Sequence, residues 1–215
     1  MSMRGSGDPG HPAGLFPVPG DGVLARRGRL ILLCSLDASQ LADRLLDLLE
    51  QTAERGGDGR RFTDAVADAV ESADAAEGQS VLAFGPAAAG LAVTVSGGAW
   101  AEVTTADGTA RVEAGHPSML LRCVLRSPVS GVRGGLSPSD NGAASTDRFS
   151  RLEAGTMRAG GLSFYQAGAG PAPVLGTRAP PATVAEPWPA EQAAAGMPPA
   201  EAAGPATPAG QAPAD

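Results

Sequence analysis

The clearest pattern of apolar and polar positions lies between Val81 and Val112. Three short apolar runs are separated there by glycine-bearing breaks, and the last run alternates apolar with polar residues. Such alternation is typical of half-buried strands, Asp107-Gly108 is a strong hairpin signal, and Gly97-Gly98 is a second one. We therefore predict an antiparallel meander with strands at Ser80–Phe84, Leu91–Ser96, Ala99–Thr105 and Thr109–Ala114.

Upstream of the meander, the pattern predicts strand structure and then two helices. Segments 22–28 and 29–36 indicate two strands or one bent strand, and the continuous run Leu30–Leu36 is typical of a strand covered on both faces. Asp37 is a candidate N-cap, with Gln40 as its capping-box partner.

The two predicted helices are joined by a very short link, so we expect them to pack as a hairpin. Gly56-Gly57 ends the first helix, Asp58 starts the second, and Gly78 is its predicted stop. Apolar side chains recur at helical spacing on one face of each helix: Leu41, Leu45, Leu48 and Leu49 in the first, and Phe62, Ala65, Val66, Ala69, Val70 and Ala73 in the second.

The segment after the meander is harder to interpret. Ser118–Arg126 is apolar and fits either a short helix or a strand. Val129–Leu136 is a candidate last edge strand. In the polar, Gly-rich segment 137–170 the one candidate ordered piece is 147–158, and Phe149, Leu152 and Phe164–Tyr165 are expected to dock on the core.

These patterns predict an α+β fold in which the helical hairpin packs on a mostly antiparallel sheet. Gly and Pro, 30 and 19 of 215 residues, are concentrated toward the two ends, which is typical of flexible sequence. The predicted organisation is a flexible arm (1–19), an α+β domain (20–136), an irregular, partly docked segment (137–170) and a disordered Pro/Ala-rich linker or tail (171–215).

Charge and residue usage narrow the chemistry. The chain has a formal net charge of −7 and no lysine, which disfavours nucleic acid as a partner and excludes Schiff-base lysine chemistry and a Walker-type phosphate loop. Cys34 and Cys123 stand in apolar runs and are expected to be buried. The apolar runs are too short to span a bilayer and no signal peptide is recognisable, so we expect a cytoplasmic protein without membrane insertion.

No catalytic, cofactor-binding or metal-ligating residue can be assigned from the sequence. His11 and His116 lie in loop sequence, and no zinc spacing or nucleophile motif is present. The carboxylate pairs flank the apolar helix stripes, where a solvated face is the simpler interpretation: Asp43 with Asp47, Asp64 with Asp68, and Asp74 with Glu77. Trp100 is expected to anchor one face of the sheet.

The order strand, helix, helix, meander resembles one half of the metal-dependent protein phosphatase fold. In that family a strand leads to an Asp-Gly-x-Gly-Gly metal motif, whereas the corresponding strand here leads to Ser35-Leu36-Asp37-Ala38-Ser39. The family's Gly-Asp-Ser stretch corresponds to Ser96-Gly97-Gly98-Ala99, which carries no acid. The resemblance therefore implies a degenerate relative that lacks the metal centre.

A second resemblance covers residues 18–136. The segments VPGDGVLARRGRLILL (18–33), GGDGR (56–60) and AFGPAAAGLAVTVSGGAWAEV (83–103) are similar to the N-terminal module of actinobacterial forkhead-associated (FHA) domain proteins. In that arrangement a Pro-rich linker and a phosphothreonine-reading domain follow. The full signature of the reading domain, which combines Gly-Arg, Ser-x-x-His and Asn-Gly, is absent here. Asn141-Gly142 matches only its last part and is not sufficient.

Together these features predict a non-enzymatic regulatory or scaffolding module that works through a protein partner, in bacterial Ser/Thr-kinase signalling or envelope assembly. One alternative is a divergent metal-dependent phosphatase-like hydrolase. Another is a phosphorylation substrate, with acceptors in Thr183–Glu186 or among the Ser and Thr residues of 137–146. The sequence does not specify the oligomeric state.

Overall fold

The computed structural model describes residues 13–73, 79–116, 118–126, 128–137 and 151–166, and these form two facing β-sheets with a helical layer on one of them. The expected arms and tail therefore lie largely outside the described residues. The described elements in chain order are β1 (Gly14–Val18), β2 (Val23–Arg27), β3 (Leu30–Cys34), α1 (Ser39–Glu54), α2 (Gly59–Glu71), β4 (Val81–Ala87), β5 (Gly90–Ser96), β6 (Trp100–Thr105), β7 (Gly108–Glu113), β8 (Leu120–Arg126), β9 (Val129–Gly135), β10 (Gly155–Arg158) and β11 (Gly161–Tyr165).

The two sheets share no strand. One has the order β1-β11-β9-β6-β7 and the other the order β10-β2-β3-β4-β5-β8, and every neighbouring pair is antiparallel. The α+β class with two helices and antiparallel sheets is thus confirmed, although the sequence predicted one sheet where the structure has two. None of the helices in the described ranges is long and apolar enough to cross a membrane.

Strand β3 shows how the layers are held together. All five of its residues are buried, as its continuous apolar run predicted. Ile31 and Leu33 belong to the core between the sheets, whereas Leu30, Leu32 and Cys34 belong to the core beneath the helices. Because successive side chains of a strand point to opposite faces, this strand contributes to both cores.

The helices cover the outer face of the six-stranded sheet with the predicted stripes. Leu45, Leu49, Phe62 and Val66 are at most 1% exposed and lie in the core beneath the helices. Burial of their apolar surface is what fixes the helices to the sheet.

The second helix begins as predicted and the first does not. The Asp58 side chain accepts a hydrogen bond from the Arg61 N–H at 2.9 Å. The first helix instead has Ala38 at its N-cap, with no side-chain capping bond, so the Asp37 capping prediction was wrong. Gly56 and Gly57, with φ of 105° and 68°, lie just beyond α1, in a conformation that glycine adopts without strain.

The predicted meander is interrupted at Gly97-Gly98. Strands β4 and β5 pair across a tight turn, and β6 and β7 pair across Ala106-Asp107. Strands β5 and β6 belong to different sheets, so Gly97-Gly98 is a corner and not a hairpin. Gly97 has φ of 65°, and a Cβ there would lie 2.4 Å from the Gln79 carbonyl oxygen. Only glycine fits this corner without displacing the backbone.

The ordered domain extends beyond both predicted boundaries. Strand β1 lies within the predicted arm, and β10 and β11 lie within the predicted irregular segment. Strands β1 and β11 pair with Gly14 opposite Tyr165, so both ends of the domain meet in one sheet. A fragment limited to 20–136 would lack three strands.

Two other segments are now assigned. The ambiguous segment 118–126 forms strand β8. Strand β9 exists as predicted, but it lies between β11 and β6 and is not an edge strand. Leu152 is buried and bridges to Leu15, and Phe164 packs against the core between the sheets.

Candidate functional site

One cleft contains Asp37, the acidic residue at the position that the sequence resemblance matched to the phosphatase metal motif, together with Asp21. We call it the aspartate cleft; its volume is about 620 Å³ and its lining includes Asp21, Ser35, Asp37 and Arg158. Asp37 follows β3 and Asp21 precedes β2, and these two strands pair with Val23 opposite Cys34. The hairpin therefore brings both carboxylates to the same end of the sheet.

The aspartate cleft does not fit a two-metal centre. Two-metal hydrolysis needs several carboxylates that converge on the ions. Among the described residues only Asp21 and Asp37 supply carboxylates to this cleft, and a cationic Arg158 lines it with them. No group of three or more His, Cys, Asp and Glu side chains within the described ranges is placed to hold an ion. The Ser35 hydroxyl is buried with no hydrogen-bond partner, but one neutral hydroxyl does not supply the missing charge.

The helical carboxylate pairs lie away from this cleft. Asp43 and Asp47 are exposed on α1. Asp68 is exposed and contacts Arg122 on β8 at 3.7 Å. Burial raises the pKa of Asp64, and the nearby charges of Arg122 and Arg60 oppose the rise. Asp74 and Glu77 lie outside the described residues.

The two cysteines are buried, as predicted. Cys34 lies in the core beneath the helices and Cys123 in the core between the sheets, so the six-stranded sheet separates them. Burial raises the pKa of each thiol to about 11. Because the thiolate is the nucleophile and metal ligand, neither side chain is suited to such a role at neutral pH.

Trp100 is 2% exposed and holds the five-stranded sheet to the segment after β9. Its indole N–H donates to the Ser137 carbonyl oxygen at 2.9 Å, and the Arg111 guanidinium lies 4.9 Å from the ring centroid. These contacts confirm that the side chain anchors the sheet.

The described sheets have four edge strands, and three of them carry features that block pairing with another chain. Strand β1 contains Pro17, which has no N–H to donate. Strand β10 has four residues, a length that offers little to pair with. Strand β7 presents Arg111 and Glu113, which form an ion pair at 2.7 Å.

The fourth edge, β8, differs from the others. It has seven residues without Pro or Gly. Leu120, Leu121 and Val124 are half-buried, and Met119 just before the strand is 55% exposed. Arg122 contacts Glu71 of α2 at 3.2 Å, so this charge is directed at the chain's own helix. A long apolar edge of this kind is a template for pairing with another strand.

A further cluster, which sequence reasoning missed, lies at the opposite end of the sandwich from the aspartate cleft. Arg26, Arg29 and Arg151 line a cleft of about 450 Å³, which we call the arginine cleft. More than a hundred positions separate Arg151 from the other two. No local motif in the sequence could have revealed their meeting.

No protein-family model, curated protein or solved structure matches this chain. The two resemblances therefore remain expectations. His11, Asn141-Gly142 and Phe149 lie outside the described residues. Thr183 and the candidate acceptors within 138–146 also lie outside them, so phosphorylation of the chain remains a prediction.

Proposed function

We propose that this chain is a non-enzymatic regulatory or scaffolding module that binds a partner protein along strand β8. The observation that carries the proposal is the contrast among the four described edges. Strand β8 alone combines seven residues, five of them apolar, with no Pro or Gly, and its two cations are Arg122, which pairs with Glu71 of the chain's own helix, and Arg126 at its end. Peptide recognition by strand addition uses such an edge, since main-chain hydrogen bonds give affinity and alternate side chains give specificity.

The proposed partner segment is an extended strand with apolar side chains at alternate positions. Leu120 and Val124 stand on the helix-facing side of β8, together with Arg122 and Arg126. Arg126 is exposed and has no ion pair with an acid in the described part of the chain. An acidic residue of the partner opposite Arg126 would therefore complement this edge.

The setting that we propose is bacterial Ser/Thr-kinase signalling or envelope assembly, with the chain in the cytoplasm. This setting rests on the resemblance to the N-terminal module of FHA-domain proteins. The β8 proposal does not depend on that resemblance.

The test uses the full chain as bait and compares three forms. Val124→Lys places a cation on the β8 edge, a substitution that blocks strand pairing, whereas Thr109→Lys places the same charge on the exposed edge strand β7. We expect a protein that is captured by the wild type and by Thr109→Lys, but not by Val124→Lys. The purified pair should then reproduce the loss by calorimetry. Equal capture by all three forms, or no specific capture, would refute the proposal.

A divergent metal-dependent hydrolase is the alternative. The meeting of Asp21 and Asp37 in the aspartate cleft is the observation that supports it, although a two-metal centre needs more acids than these two. Calorimetry with Mn²⁺ and Mg²⁺ tests it directly. Saturable binding that Asp37→Ala abolishes and Asp47→Ala preserves would support the alternative. No heat of binding in the wild type would remove it.

A further inference from the structure

The arginine cleft brings several parts of the chain to one open end of the sandwich. Its cationic side is formed by the β2-β3 hairpin and by Arg151, which precedes β10. Its other walls come from the start of β1, the β4-β5 hairpin and the end of β11. A volume of about 450 Å³ is in the range of small-molecule sites.

Arg26 is the innermost of the three cations. It stands two residues after Leu24, on the face of β2 that is directed at the other sheet. Its Nε donates to the Gly28 carbonyl oxygen and its Nη1 to that of Leu152, both at 3.0 Å. These bonds fix the guanidinium in the cleft, but both acceptors are neutral, so these two bonds do not compensate its charge.

Arg151 and Arg29 complete the cationic side. The side chain of Arg151 lies over Gly14, where a Cβ would be 2.8 Å from Nε. Its acid neighbour Glu153 is 80% exposed and 3.9 Å away, a distance at which an exposed pair contributes little. Arg29 is exposed at the hairpin turn and has no ion pair within the described ranges.

The three arginines give this cleft an excess of positive charge. None of the described residues that line it is Asp or Glu, although the chain as a whole has a formal charge of −7. Burial, and after it the charge of Arg151, lower the pKa of Arg26, while Glu153 opposes the shift. A bound anion would offset the cost of desolvating Arg26 and the repulsion between Arg26 and Arg151.

The remaining walls are apolar and aromatic. Phe164 packs against Phe84 with ring centroids 6.0 Å apart, and Tyr165 lies 6.2 Å from Phe16. Phe84, Phe164 and Tyr165 all line the cleft. This wall suits the apolar or planar body of a ligand whose anionic group is at the arginines.

We propose that the arginine cleft binds a small organic phosphate, with the phosphate on Arg26, Arg29 and Arg151 and its apolar or planar body against Phe164 and Tyr165. A phosphate ester fits better than a carboxylate. Its three terminal oxygens and charge near −2 can satisfy several guanidinium groups at once, and arginine recognises such oxygens in bidentate geometry. The proposal is independent of the partner proposed for β8.

Calorimetry of the full chain with phenyl phosphate tests the proposal. We expect saturable binding that Arg29→Gln and Arg151→Gln each weaken by about tenfold, the loss of one charge-assisted contact. The matched control is Arg158→Gln, which removes a cation at the opposite end of the sandwich and should leave the affinity unchanged. Circular dichroism of each variant verifies that it is folded.

Three ligands define the chemistry of the site. Benzoate and inorganic phosphate should each bind about tenfold more weakly than phenyl phosphate, because one lacks the phosphate and the other lacks the ring. Tighter binding of AMP than of phenyl phosphate would identify the ligand as a nucleotide. Tighter binding of phenyl phosphate would identify it as a compact phosphate ester. The proposal is overturned by no saturable binding of phenyl phosphate at about 10 mM, by equal affinity for inorganic phosphate, or by a loss in Arg158→Gln as large as in Arg151→Gln.

Discussion

Replacing Gly59 by alanine should destabilise this protein, although the same change stabilises most helices. Gly59 is the first residue of α2 and contacts the backbone of β4. A Cβ at this position would lie 2.2 Å from the Gly85 carbonyl carbon and 2.5 Å from the Pro86 carbonyl oxygen. These are backbone atoms, so no side-chain rotation can relieve the contact, and the helix must move away from the sheet.

The expected size follows from two opposing effects. In a helix interior alanine is favoured over glycine by about 1 kcal/mol, which is an upper limit for the first residue of α2. Overpacking that shifts backbone costs about 3 kcal/mol at the upper end of its usual range, where backbone overlaps this close belong. The net loss should therefore be about 2 kcal/mol in the free energy of unfolding. In a protein of this size that corresponds to a decrease of roughly 4–8 °C in Tm.

Urea denaturation followed by circular dichroism measures the change. The control is Asp47→Ala, an alanine substitution at an exposed position of α1, which should change the free energy of unfolding by less than about 0.5 kcal/mol. If Gly59→Ala were as stable as the wild type, or more stable, the close approach of α2 to β4 would be refuted.

Three further predictions follow from groups that are buried or half-buried. Thr94→Val should lower the free energy of unfolding by about 1 kcal/mol in urea titrations, because the buried Thr94 hydroxyl donates to the Thr63 carbonyl oxygen at 3.2 Å; Thr94→Ser, which keeps the hydroxyl, should lose less of that contact. The thiols of Cys34 and Cys123 should resist alkylation at pH 8 until the protein unfolds, as mass spectrometry would show. The pKa of each thiol is about 11 in the folded protein and 9.0 when the thiol is exposed to water. The unfolded state therefore loses these protons first, and the free energy of unfolding should decrease between about pH 9 and 11. Asp64→Asn should raise the Tm at pH 7, because burial raises the pKa of Asp64 and disfavours its charge, and this gain should shrink as the pH falls through about 4.

The sequence predicted the elements that local chemistry determines. The uninterrupted run of β3 required burial on two sides, the Asp58 side chain supplied a helix cap, and Asp107-Gly108 supplied a hairpin. In each case the residues that produce the structure are neighbours in the chain. The amphipathic helix stripes were predictable for the same reason.

The second sheet was not predictable in this way. A glycine pair such as Gly97-Gly98 indicates that the chain turns, but not whether the next strand pairs with the last one or joins another sheet. Strand β1 was hidden in Gly/Pro-rich sequence and obtains its hydrogen bonds from β11, which is about 150 positions away. Pairing over such a distance leaves no local pattern.

The same distinction between local patterns and long-range pairing applies to the candidate sites. The resemblance to the phosphatases placed Asp37 at the position of their metal motif and implied that the metal centre is lacking, and among the described residues the structure adds only one further acid, Asp21, to its cleft. The β8 edge was visible only as an apolar segment, since its edge position depends on the whole sheet order. The arginine cleft required the three-dimensional fold, because Arg26 and Arg151 meet only through the pairing of β10 with β2.

The pairing of β1 with β11 brings the two ends of the described sandwich together. Gly14 and Tyr165 are opposite one another, and both line the arginine cleft. Both ends of the described sandwich therefore lie at the mouth of that cleft. A tethered segment there would compete for the cleft at the high effective concentration of an intramolecular ligand. By the same geometry, a short peptide could join the two ends, and the chain could be reopened at Ala88-Ala89 as a circular permutant of the same fold.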